Sequence, residues 1–232
     1  DEVFGGYPWF ERSELLEADT FPWCPDLEFR RAVVKPELWE SLQVEDYVQA
    51  RYQQSLAEMP DLPGEALWER RRREVGWLSL NWFMQTLLDR KDRMSMAAGL
   101  EVRVPFCDHH LVEYVWNIPW AMKAMNGQRK QVLRDAAEGL LPEELLRRPK
   151  SPYPKTHDPL YEQLVRARLL TILDDRDAPI HSLVDEKALR AGLLSDAGDY
   201  GKPWFGQLMA GPQMLAYLIQ INEWMSRYHL TV

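Results

Sequence analysis

Charged side chains that could bind a metal ion or a phosphate group occur at three places in the sequence. At the first, Asp1 and Glu2 stand just before Gly5 and Gly6. Carboxylates beside a glycine turn suit a hard cation such as Mg2+, which takes oxygen ligands and usually shares them with substrate phosphates. Taken alone, these residues favour the alternative interpretation, an ordinary surface loop.

The second place combines charges with small and apolar residues between Asp92 and Phe106. Asp92, Arg93, Glu101 and Arg103 are the charged residues that we single out there. Their neighbours predict an apolar environment, in which charges need partners. The four side chains could neutralise one another in a structural ion network, or they could contact a substrate directly. The pattern leaves both interpretations open.

The third place is Lys150, which follows Arg147 and Arg148 and opens onto a proline-rich loop at residues 149–159. Four prolines in this stretch predict an extended, stiff backbone. A lysine on such a loop can act as a point charge for phosphate. An ordinary basic surface turn is the alternative.

Helical spacing of apolar residues predicts the elements that must position these groups. Residues 1–36 are predicted to be loop with short helical pieces, and no alternating strand pattern is found. The run Arg70 to Arg73 is interpreted as a solvated helix face rather than a phosphate site. We therefore predict a mainly α chain that forms one unit over residues 1–232. The predicted helices are 44–59, 65–91, 111–116, 128–138, 142–146, 185–193 and 212–227.

Composition excludes several functional classes. The chain has 232 residues, 46% of them hydrophobic, which is enough to bury a substantial core. A net charge of -8 argues against general nucleic-acid binding, since the chain would repel phosphate backbones. Without an apolar run of membrane-spanning length we expect no membrane partner and a cytoplasmic protein. Cys24 and Cys107 are not in a CxxC pair, so we expect two reduced thiols rather than a zinc site or a disulfide.

Several motifs, taken in order, resemble the glutamine-dependent asparagine synthetases. The first seven residues, DEVFGGY, resemble the end of the family segment SGEGxDEVFGGY. The stretch from Asp92, reading DRMSMAAGLEVRVPFCD, resembles DRxSMAxxLEVRVPFLD, with Cys107 in place of the usual leucine. Lys130 with Leu133 and Arg134 resembles the K..LR helix, and the approach to Lys150 resembles the LP…R.K stretch. The resemblance covers residues 1–160, and residues 161–232 are more variable between branches.

The resemblance implies a fold, a reaction and a set of site residues. The fold would be the helical C-terminal part of an adenine nucleotide α-hydrolase-like (PP-loop ATPase) α/β synthetase domain, with its parallel sheet mostly missing. The reaction would use ATP and Mg2+ to adenylate aspartate, and ammonia derived from glutamine would then form asparagine. Asp1 would be a ligand of Mg2+ and pyrophosphate, and Lys150 would contact phosphate and stabilise the transition state. Asp92, Arg93, Glu101 and Arg103 would shape the site as ion pairs.

The chain also departs from the family pattern. The SGGxDS pyrophosphate loop and the glutaminase domain are absent, and the chain opens inside a motif. We therefore expect a shortened piece that is inert alone and that forms a homodimer through apolar surface left exposed. A related synthetase of the β-lactam-forming or peptide-cyclising type, and a non-catalytic interaction module, are the alternatives.

Overall fold

A computed structural model describes residues 1–124, 127–149, 158–192, 204–206 and 209–232. Within these ranges the regular elements are helices, and β-structure is limited to two isolated bridges. The prediction of a mainly α chain is confirmed. The α-helices are α1 (Ser13–Leu16), α2 (Glu28–Arg31), α3 (Pro36–Ser41), α4 (Val44–Ala57), α5 (Leu67–Leu78), α6 (Gln85–Ala97), α7 (His109–Trp116), α8 (Trp120–Lys123), α9 (Gln131–Ala136), α10 (Glu143–Leu146), α11 (Pro159–Asp174), α12 (Glu186–Gly192) and α13 (Gly211–Tyr228). Short 3-10 helices occupy Pro8–Phe10, Pro105–Cys107 and Pro179–Ser182, and a π-helix occupies Ser79–Met84.

The chain divides into two compact units that interleave in sequence. Unit 1 comprises Asp1–Pro22 and Arg51–Ser151, and unit 2 comprises Trp23–Ala50 and Pro152–Val232. The division by contacts is therefore distinct from the division by motif resemblance near residue 160. Asp1, Glu2 and the charged residues between Asp92 and Phe106 all belong to unit 1.

Unit 1 is organised around one long helical segment, α5 continued through the π-helix into α6. Val75, Leu78 and Phe83 are its most buried apolar side chains, and Ser79 is buried with them. The hydroxyl of Ser79 donates to the carbonyl of Val75 at 2.7 Å, which satisfies the polar group inside the core. A π-helical turn within an α-helix is uncommon and often marks a functional region. Here it lies beneath the first ten residues of the chain.

Unit 2 packs α11 against α13. Apolar residues recur along α13 at helical spacing, and its Asn222 is buried among them. The Oδ1 atom of Asn222 accepts the backbone N–H of Ile180 at 3.2 Å, so the buried amide oxygen is satisfied. The core of this unit consists of Val33, Leu169, Ile172, Leu173, Ala178, Ile180, Val184, Leu189, Met214, Leu215 and Leu218.

All seven helices predicted from the sequence are present, with ends that move by a few residues. Helix α11 was not predicted, because the proline-rich stretch before it reads as loop. Its start has the ordinary signals: Asp158 accepts the N–H of Leu160 at 2.9 Å, and Pro159 is the first helical residue. The prediction of an extended loop at 149–159 falls mostly on residues outside the described ranges.

Two smaller predictions can also be compared with the structure. Cys24 and Cys107 are both free thiols, as expected, so a disulfide between them is excluded. Among the described residues, no helix has both the length and the apolar character needed to cross a bilayer.

Candidate functional site

The N-terminal loop, residues 1–7, folds back on itself as a tight turn. The backbone N–H of Gly6 donates to the carbonyl of Asp1 at 2.7 Å. Gly5 has φ +66°, and a Cβ there would overlap the ring of Trp120. At Gly6 a Cβ would overlap the Asp1 carboxylate and the Lys130 side chain. Both glycines are therefore required where the sequence suggested only a generic glycine turn.

An ion pair joins the N-terminal loop to the residue just before α9. The Nζ of Lys130 contacts Oδ1 of Asp1, and both side chains are largely withdrawn from solvent. Lys130 has φ +59° and immediately precedes α9, so the backbone is strained at the residue that presents the amine. Burial lowers the pKa of the Lys130 amine, and the charge of Glu2 partly opposes that effect. The carboxylate at Asp1 thus meets a cation from a segment 129 residues away in sequence.

Glu2 is engaged by Tyr7 within the same loop. The Tyr7 hydroxyl donates to Oε1 of Glu2 at 2.6 Å. Burial, reinforced by the hydrogen bond and charge of Glu2, raises the pKa of Tyr7 well above its ordinary value. The phenol therefore remains a hydrogen-bond donor across the physiological pH range.

Aromatic packing fixes Tyr7 against the long helix. Its ring stacks on Trp9 with centroids 4.2 Å apart, and Phe83 meets both rings edge-on at 5.2 and 5.1 Å. The indole N–H of Trp9 donates to the hydroxyl of Ser79 at 3.2 Å. The π-helical turn thus supplies both an aromatic ring and a hydrogen-bond acceptor beneath the N-terminal loop.

Arg134 on α9 holds the backbone that leads towards Lys150. Its guanidinium donates to the carbonyls of Leu146 and Arg148, the latter at 3.1 Å, and its Nε donates to the carbonyl of Arg129 at 3.1 Å. Lys150 itself lies outside the described residues. In the sequence Arg134 is recognisable only as part of a motif, and its hydrogen bonds show that it positions the segment before that lysine.

The charged segment, residues 92–106, differs from the environment that its sequence predicts. Arg93 pairs with Asp89 at 2.7 Å, one helical turn earlier, and Arg103 pairs with Glu101 at 2.7 Å. The four chosen residues therefore do not form one buried network, and Asp92 is exposed. The Arg103 and Glu101 side chains are 84% and 65% exposed. The expectation of an apolar environment was wrong, because small residues there accompany an exposed helix end rather than a packed turn.

The basic run at Arg70 to Arg73 also differs from its interpretation as a solvated face. Arg73 and Glu65 form a bidentate pair with N–O distances of 2.6 to 3.0 Å, and their side chains are 8% and 7% exposed. Arg73 also donates to the carbonyl of Pro60 at 2.6 Å. Arg71 reaches the hydroxyl of Tyr52 at 3.0 Å. Two of the four arginines are thus structural partners of buried groups, which the charge pattern alone did not indicate.

A cavity of about 290 Å3 lies beside the N-terminal loop in unit 1. Glu2 and Val3 border it on the loop side, and α5 and α8 contribute Arg73 and Lys123. Its aromatic lining consists of Phe10, Trp116 and Trp120. The stacked pair of Phe10 and Trp120, with centroids 4.9 Å apart, gives this wall a fixed shape.

Comparison with known protein families matches residues 1–226 to the asparagine synthase family. The chain belongs to the asparagine synthase family. It is 48% identical over all 232 residues to asparagine synthetase [glutamine-hydrolyzing] 3 of Bacillus subtilis (strain 168), of which it covers 38%. A second Bacillus subtilis relative, asparagine synthetase [glutamine-hydrolyzing] 1, is 42% identical over 73 residues, which are 32% of this chain and 12% of the relative. The human asparagine synthetase [glutamine-hydrolyzing] is 43% identical over 67 residues, 28% of this chain and 12% of that protein.

The chain therefore spans less than two fifths of the relative that it matches along its whole length. Family membership confirms the resemblance that the ordered motifs indicate. The names of these relatives give no support to a β-lactam-forming or peptide-cyclising enzyme.

The described residues do not bring together a cluster of metal-ligating side chains. They contain no group of three or more His, Cys, Asp or Glu side chains placed to hold a metal ion. The two carboxylates of the N-terminal loop already have partners. Asp1 forms an ion pair with Lys130, and Glu2 accepts a hydrogen bond from Tyr7. A magnesium ion needs about six oxygen ligands and takes many of them from water and phosphate. The described side chains alone therefore do not fit a bound magnesium ion.

Proposed function

We propose that this chain is part of an ATP-dependent asparagine synthetase, which adenylates aspartate and transfers ammonia derived from glutamine to give asparagine, AMP and pyrophosphate. The observation that carries the proposal is the pairing of Asp1 with Lys130 in a loop that family resemblance links to ATP. A metal–pyrophosphate complex bound here would break this ion pair and would itself interact with the carboxylate and the amine. ATP, Mg2+, aspartate and ammonia are the ligands that the proposal requires.

The proposed roles follow the motifs residue by residue. Asp1 would be a ligand of Mg2+ and pyrophosphate, and Lys150 would contact phosphate and stabilise charge in the transition state. Arg134 supports the second role, because it hydrogen-bonds the backbone two residues before Lys150. Asp92, Arg93, Glu101 and Arg103 would shape the site in the whole protein, where their exposed side chains could gain further partners.

The proposal also includes the architecture of the missing half. A PP-loop ATPase-like domain would add a parallel sheet that carries the nucleotide, and the helices of unit 1 would pack beside it. We propose that the 232 residues alone are inert, because their described part brings no three metal-ligating side chains together and Asp1 is paired with Lys130. The exposed apolar side chains in the charged segment further lead us to propose that this chain associates as a homodimer.

The test is product analysis of the full-length protein that contains this chain. With aspartate, ATP, Mg2+ and glutamine, we expect equal amounts of asparagine, AMP and pyrophosphate. Lys150→Met should abolish asparagine and AMP formation but leave glutamine hydrolysis. Lys91→Met, at an exposed lysine of α6, is the control and should keep full activity. An amide product other than asparagine, or full synthesis by Lys150→Met, would refute the proposal.

The inertness of the isolated chain is tested separately. Calorimetric titration with ATP and Mg2+ should give no binding heat for the 232-residue chain and a saturable signal for the full-length protein. Saturable binding by the chain alone would show that unit 1 or unit 2 holds nucleotide unaided, and the architectural proposal would have to be abandoned.

A further inference from the structure

The turn before α9 is attached to the N-terminal segment by two ion pairs. Lys130 pairs with Asp1, and its neighbour Arg129 pairs with Glu11. In the second pair, Nε of Arg129 donates to Oε1 of Glu11 at 2.7 Å and Nη2 donates to Oε2 at 2.5 Å. A guanidinium bound to both carboxylate oxygens restricts orientation as well as distance. The two pairs therefore hold the turn at both ends of the segment from Asp1 to Glu11.

Arg134, on the first turn of α9, holds the same turn to the backbone before Lys150. Its Nε donates to the carbonyl of Arg129, and its two terminal nitrogens donate to the carbonyls of Leu146 and Arg148. All three acceptors are backbone groups, so Arg134 fixes the path of the main chain. The side chain of Leu146 is buried, so this end of the path is itself packed within unit 1. One side chain therefore sets the distance between the turn and the segment that leads to Lys150.

Apolar packing also joins α9 to the N-terminal loop. Val132 and Leu133 pack against the cluster of buried side chains that includes Val3 and Phe4. The helix has six residues, and a helix of that length is not stable in water on its own. Its position is therefore set by its contacts with the loop and with the segment that Arg134 binds. Helix α9 and its preceding turn form the link between these two segments.

We propose that Arg129 and Arg134 are positioning residues, which hold the N-terminal loop and the backbone before Lys150 at the spacing that the synthetase reaction requires. This inference rests on the proposed function, since it assumes that Asp1 and Lys150 act on the same pyrophosphate group. Neither arginine needs to touch a substrate, because Arg129 binds Glu11 and Arg134 binds backbone carbonyls. A misplacement of about 1 Å at a reacting group can cost about a hundredfold in rate.

The shape of the guanidinium distinguishes positioning from a contact with phosphate. A cation that binds phosphate by its charge can be replaced in part by lysine. Arg134 instead uses three nitrogens of a rigid planar fork, whereas lysine has a single nitrogen on a flexible stem. Lysine at this position would keep the charge and lose the bridge between the segments. A free guanidinium ion has the same planar fork and can occupy the space that an alanine leaves.

The experiment uses the full-length protein, with asparagine formation and glutamine hydrolysis measured side by side. We expect Arg134→Ala and Arg134→Lys each to lower kcat for asparagine formation by about a hundredfold. KM for ATP and for aspartate should change less than about threefold, because Lys150 is proposed to act in the transition state. Guanidinium chloride at millimolar concentration should restore the rate of Arg134→Ala about tenfold, by replacing some of the lost hydrogen bonds, and should leave Arg134→Lys unchanged.

The pair of Arg129 and Glu11 is tested from both sides. Arg129→Met and Glu11→Gln should each lower kcat by about tenfold, less than at Arg134, because Lys130 still attaches the turn to the loop. The double variant should be no slower than the slower single variant, since each substitution removes the same pair.

Arg147 supplies the matched control. It is nearer to Lys150 in sequence than Arg134 is, but its side chain is exposed and pairs with Glu143 one helical turn away. Arg147→Ala should therefore stay within about twofold of the unsubstituted rate.

The outcomes separate this inference from the proposed function. No asparagine from the unsubstituted protein would refute the proposed function and this inference together. If the unsubstituted protein makes asparagine, an unchanged kcat in Arg134→Ala, full activity of Arg134→Lys, or failure of guanidinium to restore any rate would overturn this inference alone. An equal loss of glutamine hydrolysis in Arg134→Ala would show general damage to the fold and would also contradict it. Arg129→Met and Glu11→Gln, at a partly exposed pair, decide the question if Arg134→Ala does not fold: unchanged kcat in both would overturn the assignment.

Discussion

The N-terminal loop and the charged segment, both in unit 1, carry motifs of the same family but treat their charges in opposite ways. In the loop, Asp1 is paired with Lys130, which lies far away in sequence, and both are largely buried. In the charged segment, Arg103 pairs with Glu101, two residues away, and both face solvent. Burial raises the energetic consequence of every charge, so the loop is committed to one arrangement. The segment can exchange its partners at little cost.

This difference separates charges whose partners are fixed within this chain from charges that can change partners. A charge pair between neighbours in sequence, exposed to water, contributes little and specifies little. A pair between distant segments fixes how those segments pack. The packing of the N-terminal loop against the residue before α9 is therefore specified within unit 1, whereas the packing of the charged segment is not specified by its own ion pairs.

The largest effect is expected from Arg73→Met in the cavity wall. The substitution leaves Glu65 buried with no cation, and breaking a buried pair in this way typically costs about 3–5 kcal/mol. Arg103→Met breaks a pair that is open to water and should change the unfolding free energy little. Urea unfolding of both variants, followed by tryptophan fluorescence, measures the contrast. Similar losses in the two variants would show that the buried and exposed pairs are not energetically distinct.

A second test uses the pH dependence of stability at Lys123. Burial lowers its pKa from 10.5 to about 8 in the folded chain, so the folded state binds fewer protons than the unfolded state between those values. Stability from this group therefore increases as pH rises from about 8 to 10.5, by up to about 3 kcal/mol for a shift of this size. Below pH 8 the amine is charged in both states and the cost of burying it is fully present.

The measurement is the difference in unfolding free energy between the unsubstituted chain and Lys123→Met, from pH 7 to 11. Subtraction removes titrations that the two chains share, including that of Tyr7. The advantage of Lys123→Met should be greatest at the acidic end and should shrink as the pH rises. Lys91→Met, at an exposed lysine of α6, is measured in parallel as the control substitution. A flat difference for Lys123→Met would mean that its amine is solvated.

The sequence predicts the helices well and the partners of charged residues poorly. Helical spacing locates α4, the long α5–α6 segment and α13, because burial on one face imposes a period that the sequence must carry. Glu65 and Arg73 carry no such period, and their pairing depends on how residues 60–65 turn before α5. The Lys130–Asp1 pair is a contact between distant segments, for which one sequence contains no signal. Tyr7 and Arg134 could be recognised in the sequence only as members of motifs. Their hydrogen-bond partners became known only from the structure.

A third test compares two glycines that have similar backbone angles in the two regions. Gly5 has φ +66° and Gly99 has φ +71°, so alanine at either is strained by about 1–2 kcal/mol. A Cβ at Gly5 would also overlap the Trp120 ring, whereas one at Gly99 meets nothing within 4 Å. The Gly5→Ala variant should therefore be less stable than Gly99→Ala by about a further 1–3 kcal/mol, the usual cost of overpacking. Equal unfolding free energies would indicate that Trp120 moves aside freely.

The smallest effect on stability is expected from Leu100→Glu. This substitution is also the most direct test of the charged segment as a surface for association. Leu100 and its neighbours Met94, Met96 and Phe106 are all exposed, as is Leu164 in unit 2, and both leucines are 60% exposed. A surface substitution of this kind should change the unfolding free energy by less than about 0.5 kcal/mol.

If the charged segment is the surface through which the chain associates, a glutamate there should shift a dimer to monomer in sedimentation, because burying its charge opposes the contact. Leu164→Glu, matched in exposure, should leave the dimer intact. A chain that is monomeric at every concentration before substitution would refute the homodimer.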